Sequence, residues 1–415
     1  MKPESRSVMS EERKCFAHLT KGTKKRWCAH ALALAVALAI IVSQTAQAQP
    51  YTESVLYTFA GGMDGTEPLF SGVIRDPAGN LYGTTYAGGA SNYGTVFKVD
   101  ASGNETVLYS FTGRADGRTP YAGLVRDSGG HLYGTAYNGG IRSAMCTSGC
   151  GVVFEVDANG KEKVLHRFTG GTDGALPIGA LIRDAAGNLY GTTQMGGASG
   201  AGTVFKLDAT GVETVLYSFA GVPDGQYPFA GLIRDSAGNF YGTTSNGGAI
   251  GFGTVFKLDT AGHETVLYSF TGGSDGGSPQ APLLRDNNGN LYGTTFLGGA
   301  NYGVGTVFKV DVNGNETVLH NFAGNDGKYP EAGLIRDSQG NLYGSALQGG
   351  PADNLGGNVF KISRQGTWSV LYNFTGGPDG GNPAGSLLMD SAGNLYGTTA
   401  SGGVSGRGTV FKLAP

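Results

Sequence analysis

Apolar and polar side chains alternate in short runs along the chain from about residue 53 to its end. Most runs have four to seven residues, are rich in Val, Thr, Tyr and Phe, and are bounded by Gly, Asn and Asp. Such runs are typical of short β-strands joined by tight turns. One stretch shows the order clearly: Ala230–Asp235, Phe240–Thr244, Gly253–Asp259 and Glu264–Phe270. The pattern therefore predicts a unit of four strands.

This unit recurs seven times. The tetrapeptide L-Y-G-T or a close variant recurs at intervals of 51 to 57 residues, beginning at Leu81, Leu132, Leu189, Phe240, Leu291, Leu342 and Leu395. Four strands in about 50 residues are typical of one propeller blade. We therefore predict an all-β protein, a seven-bladed β-propeller of four-stranded antiparallel blades.

The two ends of the repeat region predict how the ring closes. Ser54–Phe59 corresponds to a lone fourth strand, and the chain stops after a third strand at Gly408–Leu413. One N-terminal and three C-terminal strands would complete one blade and cover sheet edges that are otherwise exposed. An open solenoid more often has divergent capping repeats, and the repeats here are alike.

The N-terminal segment has a different composition. Lys21, Lys24 and Lys25 precede the apolar run Ala31–Val42, and Ala46-Gln47-Ala48 follows. This order predicts a signal peptide at residues 1–48 and a single propeller domain at 49–415, with an uncleaved signal anchor as the alternative. The remaining 21 basic and 29 acidic residues do not favour nucleic acid or a membrane surface as a partner. We expect a secreted or periplasmic protein.

Residues that recur in every blade are expected to build the fold. The Tyr of each L-Y-G and the Phe of each V-F are predicted core residues, and the Asp of each D-x-x-G-N is predicted to stabilise its own turn. The D-G-x-x-P loops carry Asp64, Asp116, Asp173, Asp224, Asp275, Asp326 and Asp379. A ring of such aspartates could bind Ca²⁺, but a single carboxylate in each loop favours the alternative that each Asp caps its own turn. No cofactor is therefore expected.

Two cysteines remain after removal of the first 48 residues. Cys146 and Cys150 lie in the one long insertion, Ile141–Cys150, and in an oxidising compartment we expect them to form a disulfide. No other His or Cys lies close by in sequence, so no metal site is predicted.

Residues that differ between blades are the candidates for a ligand-binding site. A ring of identical blades offers seven equal surfaces, so a site for a single ligand needs residues that break this symmetry. The D-G-x-x-P loops and the loops between second and third strands are expected on one face, called here the loop face. There the first four blades carry Phe70, Tyr121, Ile178 and Phe229, and the last three carry Gln280, Glu331 and Ala384. Aromatic residues suit stacking on sugar rings or binding of a peptide. Phe70, Tyr121 and Phe229 are therefore predicted ligand contacts, with packing over the loop backbone as the alternative.

A second irregularity lies in the second blade. Arg114, Arg118 and Arg142 share the loop face with the cysteine-containing insertion. Guanidinium groups would suit an acidic sugar or a carboxylate, with solvated surface charge as the alternative.

The units N-L-Y-G-T-T-x-x-G-G, G-T-V-F-K-x-D-x-x-G-x-E-T-V-L-Y-S-F and G-G-x-D-G-x-x-P together resemble the GloVer-type (Gloeo/Verruco) tandem repeat of exported bacterial proteins. The resemblance runs from about residue 53 to 415. It implies an extracellular or cell-surface location, often through a C-terminal sorting anchor, and no established activity. Here the sequence ends at Pro415 directly after the last strand, which favours release into the periplasm or medium.

The chemistry of the loops favours binding over catalysis. The four histidines beyond residue 48 are His131, His166, His263 and His320, and none is near a second unrepeated acid or base in sequence. We expect a non-catalytic binding or scaffold propeller for carbohydrate or another extracellular polymer. A propeller hydrolase or lyase with its site at the channel mouth, and a purely structural surface protein, are the alternatives.

Overall fold

The computed structural model describes residues 51–70, 72–300, 303–351 and 356–415. Within these ranges the regular structure consists of strands, and none of the chain described forms a helix able to cross a membrane. Residues 51–415 form one compact unit. The predicted signal peptide at residues 1–48 lies outside the described residues.

Seven blades, each with four antiparallel strands, form the ring, as predicted, and the sheet of the third blade has a fifth short strand. The first strands of the blades are Ile74–Arg75, Val125–Arg126, Ile182–Arg183, Ile233–Arg234, Leu284–Arg285, Ile335–Arg336 and Leu388–Met389. The second strands are Leu81–Thr85, Leu132–Ala136, Leu189–Met195, Phe240–Thr244, Leu291–Thr295, Leu342–Ala346 and Leu395–Thr399. The third strands are Thr95–Val99, Val152–Val156, Thr203–Leu207, Thr254–Leu258, Thr306–Val310, Asn358–Ile362 and Thr409–Ala414. The fourth strands are Glu105–Ser110, Glu162–Arg167, Glu213–Ser218, Glu264–Ser269, Glu316–Asn321, Trp368–Asn373 and Thr52–Thr58.

Three additional short strands lie in the loops of the third and fourth blades, at Ala175–Pro177, Gly225–Gln226 and Asn246–Gly247. Ala175–Pro177 pairs with the end of the second strand Leu189–Met195. The other two pair with each other.

The ring is closed by the pairing that the sequence predicts. Thr52–Thr58 lies antiparallel to Thr409–Ala414, from Thr52 opposite Ala414 to Thr58 opposite Thr409. The backbone N–H of Phe59 then donates to the carbonyl of Gly408 at 3.1 Å. The first residues of the propeller thus supply the outermost strand of the last blade.

The hydrophobic core lies between the blades. Each of seven buried clusters in the described residues joins one blade to the next. Phe256 is typical, since it is 1% exposed and meets Phe219 of the preceding blade edge-on at 5.1 Å. Gly242 lies opposite Phe256 in the sheet, and a Cβ there would lie 2.7 Å from the Phe256 ring. The glycine of each L-Y-G therefore makes room for the phenylalanine of V-F, which is a core residue as predicted.

The tyrosine of each L-Y-G has a polar role as well as a packing role. Tyr241 is mostly buried, and its hydroxyl donates to Asp235 of its own D-x-x-G-N turn at 3.0 Å. Arg285 of the next blade lies over the same ring, 5.5 Å from its centre. The predicted structural role of this turn aspartate is confirmed, and the tyrosine also links two blades through a cation–π contact.

The aspartates of the D-G-x-x-P loops accept hydrogen bonds from groups in or next to their own loops. Asp275 accepts hydrogen bonds from the Tyr268 hydroxyl at 3.0 Å and from the Thr271 backbone N–H at 2.8 Å. The other blades repeat the arrangement, with a histidine in place of the tyrosine at Asp173 and Asp326. In the described part of the chain no group of three or more His, Cys, Asp or Glu side chains could hold a metal ion.

Six glutamates at the start of the fourth strands face the preceding blade. Each has a buried Oε1 atom with no hydrogen-bond partner in the described structure. Burial raises the pKa of five of them to about 7, with a nearby aspartate of the preceding blade adding to the effect; these are Glu53, Glu105, Glu162, Glu264 and Glu316. Burial also raises the pKa of Glu213. Their charged forms therefore destabilise the interfaces between blades.

We predict that the protein is more stable at pH 5 than at pH 8. A carboxyl with a pKa of 4.5 when unfolded and about 7 when folded binds more protons in the folded state between these values. The free energy of unfolding therefore falls as the pH rises from about 4.5 to about 7. Thermal melting across this range should show a falling melting temperature, and Glu105→Gln with Glu264→Gln should flatten the slope. A melting temperature that is constant or rises with pH would contradict the prediction.

Candidate functional site

A cavity of about 200 Å³ lies where the segments before the first strands of all seven blades meet. Residues from every blade line it, so it surrounds the axis of the ring. The side chains that distinguish one blade from another are Phe70, Ile178, Phe229, Gln280, Glu331 and Ala384. The other described lining residues are small or aliphatic, so these positions make the cavity asymmetric.

The loop before each of these residues is held in an unusual backbone conformation. The residue preceding the Pro has a positive φ in all seven blades, at Glu67, Thr119, Leu176, Tyr227, Ser278, Tyr329 and Asn382. Tyr227 shows why this persists: its N–H donates to Ala201 of the preceding blade at 2.9 Å, and its carbonyl accepts from Ser245 at 3.0 Å. Such contacts offset the strain of a left-handed residue. The cavity side chains are thus presented from a rigid loop.

The structure brings together the three aromatic residues predicted as ligand contacts. Phe70 stacks on Tyr121, with ring centres 5.3 Å apart and planes 21° apart. The same ring meets Phe229 edge-on at 5.9 Å. Phe229 belongs to the loop three blades further along the chain, so Phe70 reaches across the axis. Phe70 and Phe229 line the cavity, whereas Tyr121 is not among its lining residues.

Two further tyrosines extend this cluster over the loop face. Tyr86 and Tyr137 pack on Tyr121 at 5.2 and 5.5 Å between ring centres. Burial raises the pKa of Tyr121 to about 12, and burial also raises the pKa of Tyr137. Both hydroxyls are therefore neutral hydrogen-bonding groups at ordinary pH.

Glu331 is a residue that the sequence prediction of the site did not include. It is the only ionisable side chain among the described residues that line the cavity. Burial raises its pKa to about 7. In the sequence it is distinguished by its charge, because the other blades carry aromatic, aliphatic or amide side chains at this position.

The three arginines predicted as a second contact do not line the cavity. The Arg118 guanidinium lies over the Tyr93 ring at 5.6 Å, which gives it an intramolecular partner. Arg114 and Arg142 are exposed, and the Arg114 carbonyl accepts from Gly140 at 2.7 Å. An arginine site for an acidic ligand stays a prediction, separate from the central cavity.

Cys146 and Cys150 form a disulfide in the structure, with their Cα atoms 5.0 Å apart. The Cys150 N–H donates to the Ile141 carbonyl at 2.7 Å. Both cysteines are buried in the hydrophobic cluster between the second and third blades, beside Phe168. The bridge closes a loop within the insertion, the burial of both cysteines packs the insertion between these two blades, and neither cysteine lines the cavity.

Comparison with known proteins identifies the repeat and the fold. The family model of the Gloeobacter/Verrucomicrobia repeat matches residues 40–236 and 298–415. The extracellular domain assigned to a hybrid two-component system of B. thetaiotaomicron has a similar structure, with a TM-score of 0.54 and 14% identity over 89% of this chain and 41% of that one. A second such domain from the same bacterium has a TM-score of 0.56 and 11% identity, over 88% of this chain and 39% of that one.

This chain thus spans less than half the length of either similar structure. At these identities the likeness concerns the fold alone. No curated protein matches the sequence significantly.

Proposed function

This chain belongs to the Gloeobacter/Verrucomicrobia repeat family, and from that premise we propose that it is an exported, non-catalytic binding propeller. Its ligand is a carbohydrate, and one sugar unit enters the central cavity beside Phe70 and Phe229. The observation that carries the proposal is the asymmetry of this cavity in an otherwise regular ring.

The lining of the cavity suits a sugar better than an apolar small molecule. Phe70 and Phe229 offer ring faces and edges for the C–H groups of a sugar, and Gln280 and Glu331 offer polar groups on the same cavity. A few polar groups among apolar ones are the usual composition of a small-molecule site. The volume of about 200 Å³ is below the usual 300–1,000 Å³ of drug-sized pockets, so it matches one unit of a polymer.

Two features support export. The basic residues, apolar run and A-x-A sequence at residues 1–48 have the order of a signal peptide. Two proteins of similar fold are extracellular domains of bacterial systems. A carbohydrate of the periplasm or medium would then be accessible to the loop face.

The chemistry of the cavity supports binding without turnover. Hydrolysis of a glycosidic bond ordinarily needs two carboxyl groups in different roles. Of the described residues that line the cavity, Glu331 alone has a carboxyl group. The proposal therefore assigns no catalytic residue.

We predict that Phe229→Ala weakens binding of a cognate oligosaccharide at least about tenfold, because a lost ring contact of about 1.4 kcal/mol corresponds to that factor. A soluble oligosaccharide panel measured by calorimetry identifies the ligand and gives the affinities. Phe252→Ala is the matched control, since Phe252 is 42% exposed and lies outside the cavity lining.

Three outcomes would overturn the proposal. Unchanged affinity in Phe229→Ala would move the ligand away from the cavity. Turnover of a bound sugar or lactone would make the protein an enzyme. Failure of every oligosaccharide to bind at millimolar concentration would leave a structural role for the ring.

A further inference from the structure

We propose that Glu331 makes the central cavity selective for a sugar unit with a free, protonated amine, as in a glucosamine-containing polysaccharide. This inference rests on the proposed function and names the class of ligand. It follows from three observations: the unpaired carboxyl group, the aromatic rings that line the same cavity, and the rigid loop that presents Glu331.

The Glu331 carboxyl group is unpaired in the part of the chain that the structure describes. Among the described residues, neither a hydrogen bond nor an ion pair involves its side chain, and no Lys, Arg or His lines the cavity. An ionised carboxylate that is partly removed from water is unfavourable unless it is paired. An ammonium group on the ligand would supply the missing charge and would donate to the carboxylate oxygens.

The rings of Phe70 and Phe229 line the same cavity as Glu331. Aromatic faces attract cations, and this attraction is larger where water is excluded. A ring face that stacks on a sugar and a carboxylate that pairs with its amine would therefore act on one small unit together. A neutral sugar would use the rings and leave the carboxylate unpaired.

A comparison with Gln280 indicates that Glu331 contributes its charge to the cavity rather than only a hydrogen-bonding group. Gln280 occupies the matching position of the neighbouring blade and lines the same cavity, so a neutral amide is already present for sugar hydroxyls. The carboxylate one blade further on is the side chain that adds charge. The selectivity it confers is therefore for a cationic substituent.

The backbone directly before Glu331 is held by several contacts. Tyr329 has a φ of 56°, its N–H donates to Val304 at 2.9 Å, and its ring stacks on Phe296 at 4.9 Å. The Pro330 carbonyl accepts from the Thr294 hydroxyl at 3.1 Å. A charged group on such a rigid support is suited to selecting a ligand.

The test uses calorimetry at pH 7 to compare binding of three trisaccharides, which are the trimers of glucosamine, N-acetylglucosamine and glucose. We expect the glucosamine trimer to bind at least about tenfold more tightly than the other two, because only its ammonium group can form a charge-assisted hydrogen bond with the otherwise unpaired carboxyl group of Glu331. Glu331→Gln should remove this preference and leave the weaker binding of the neutral trimers. Glu331→Asp, which keeps the charge, should retain part of it.

Glu67→Gln is the matched control. Glu67 lies in the corresponding loop of the first blade and acts electrostatically on the same Tyr121 as Glu331 does, but it does not line the cavity. The native preference should persist in this variant. Melting temperatures of all variants show whether each is folded.

The outcomes separate this inference from the proposed function. If sugars bind in a Phe229-dependent way without preference for the amine, or if Glu67→Gln abolishes the preference as Glu331→Gln does, the inference about Glu331 is wrong and the proposed function stands. If no trimer binds and the wider oligosaccharide panel also fails, both are wrong.

Discussion

A chain that begins at Ala60 is expected to lose cooperative unfolding and to self-associate. It lacks the strand Thr52–Thr58, which pairs with Thr409–Ala414 at every residue except Leu56. It also lacks Phe59, which is fully buried and packs against Phe97 of the first blade at 5.1 Å. The truncation therefore removes both the outer strand of the last blade and part of the contact between the last and first blades.

The expected loss approaches the whole stability of the protein. Loss of a buried phenylalanine side chain alone costs about 3–5 kcal/mol, and a folded protein is stable by only about 5–15 kcal/mol. The uncovered edge of Thr409–Ala414 would also offer unpaired backbone groups to other chains. Thermal unfolding and light scattering, compared with a chain that begins at Tyr51, measure the two effects.

A synthetic peptide of residues 51–60 provides a direct control. Added in trans, it should restore a cooperative transition and reduce self-association, whereas the same peptide with Phe59→Ser should do so less effectively. A truncated chain that melts like the longer one without any peptide would show that the ring does not depend on this closure.

Phe256→Ala is expected to lower the free energy of unfolding by about 3–5 kcal/mol. Phe256 is 1% exposed, lies opposite Gly242 and packs on Phe219 of the preceding blade. Gly242 has no side chain that could fill the space, so a cavity would remain between two blades. Chemical unfolding at constant pH measures the change.

Phe252→Ala supplies the comparison within the same blade. Phe252 is 42% exposed, so its truncation is expected to change the free energy of unfolding by less than about 1 kcal/mol. Equal losses of unfolding free energy in Phe256→Ala and Phe252→Ala would show that the repeated phenylalanine is not a core residue. This pair of variants thus tests the packing role independently of any ligand.

The residues that recur in every blade were predictable because their roles are local or repeated. The Asp-Gly turns, the strand order and the Phe of V-F each follow from a short pattern, and seven copies make an accidental match improbable. The hydrogen bond from Tyr241 to Asp235 spans one hairpin. The contact of Arg285 with Tyr241, by comparison, joins two blades and has no signature in either segment by itself.

The candidate site was predictable only in part. Phe70, Tyr121 and Phe229 were predicted as ligand contacts because they break the repeat, and the structure brings the three rings together. Glu331 breaks the repeat equally, yet nothing in the sequence distinguishes a buried carboxylate from an exposed one. Its significance depends on the absence of a cationic side chain among the described residues that line the cavity, and those come from all seven blades.

The sequence by itself determined the number of blades, their four strands and the closure of the ring, because each depends on short patterns and on where partial repeats begin and end. Only the tertiary structure decided which unrepeated side chains meet. Phe70 and Phe229 are three blades apart along the chain, and they touch because the ring directs both toward one axis. Glu331 shares that cavity for the same reason, since convergence at an axis depends on the curvature of the whole ring.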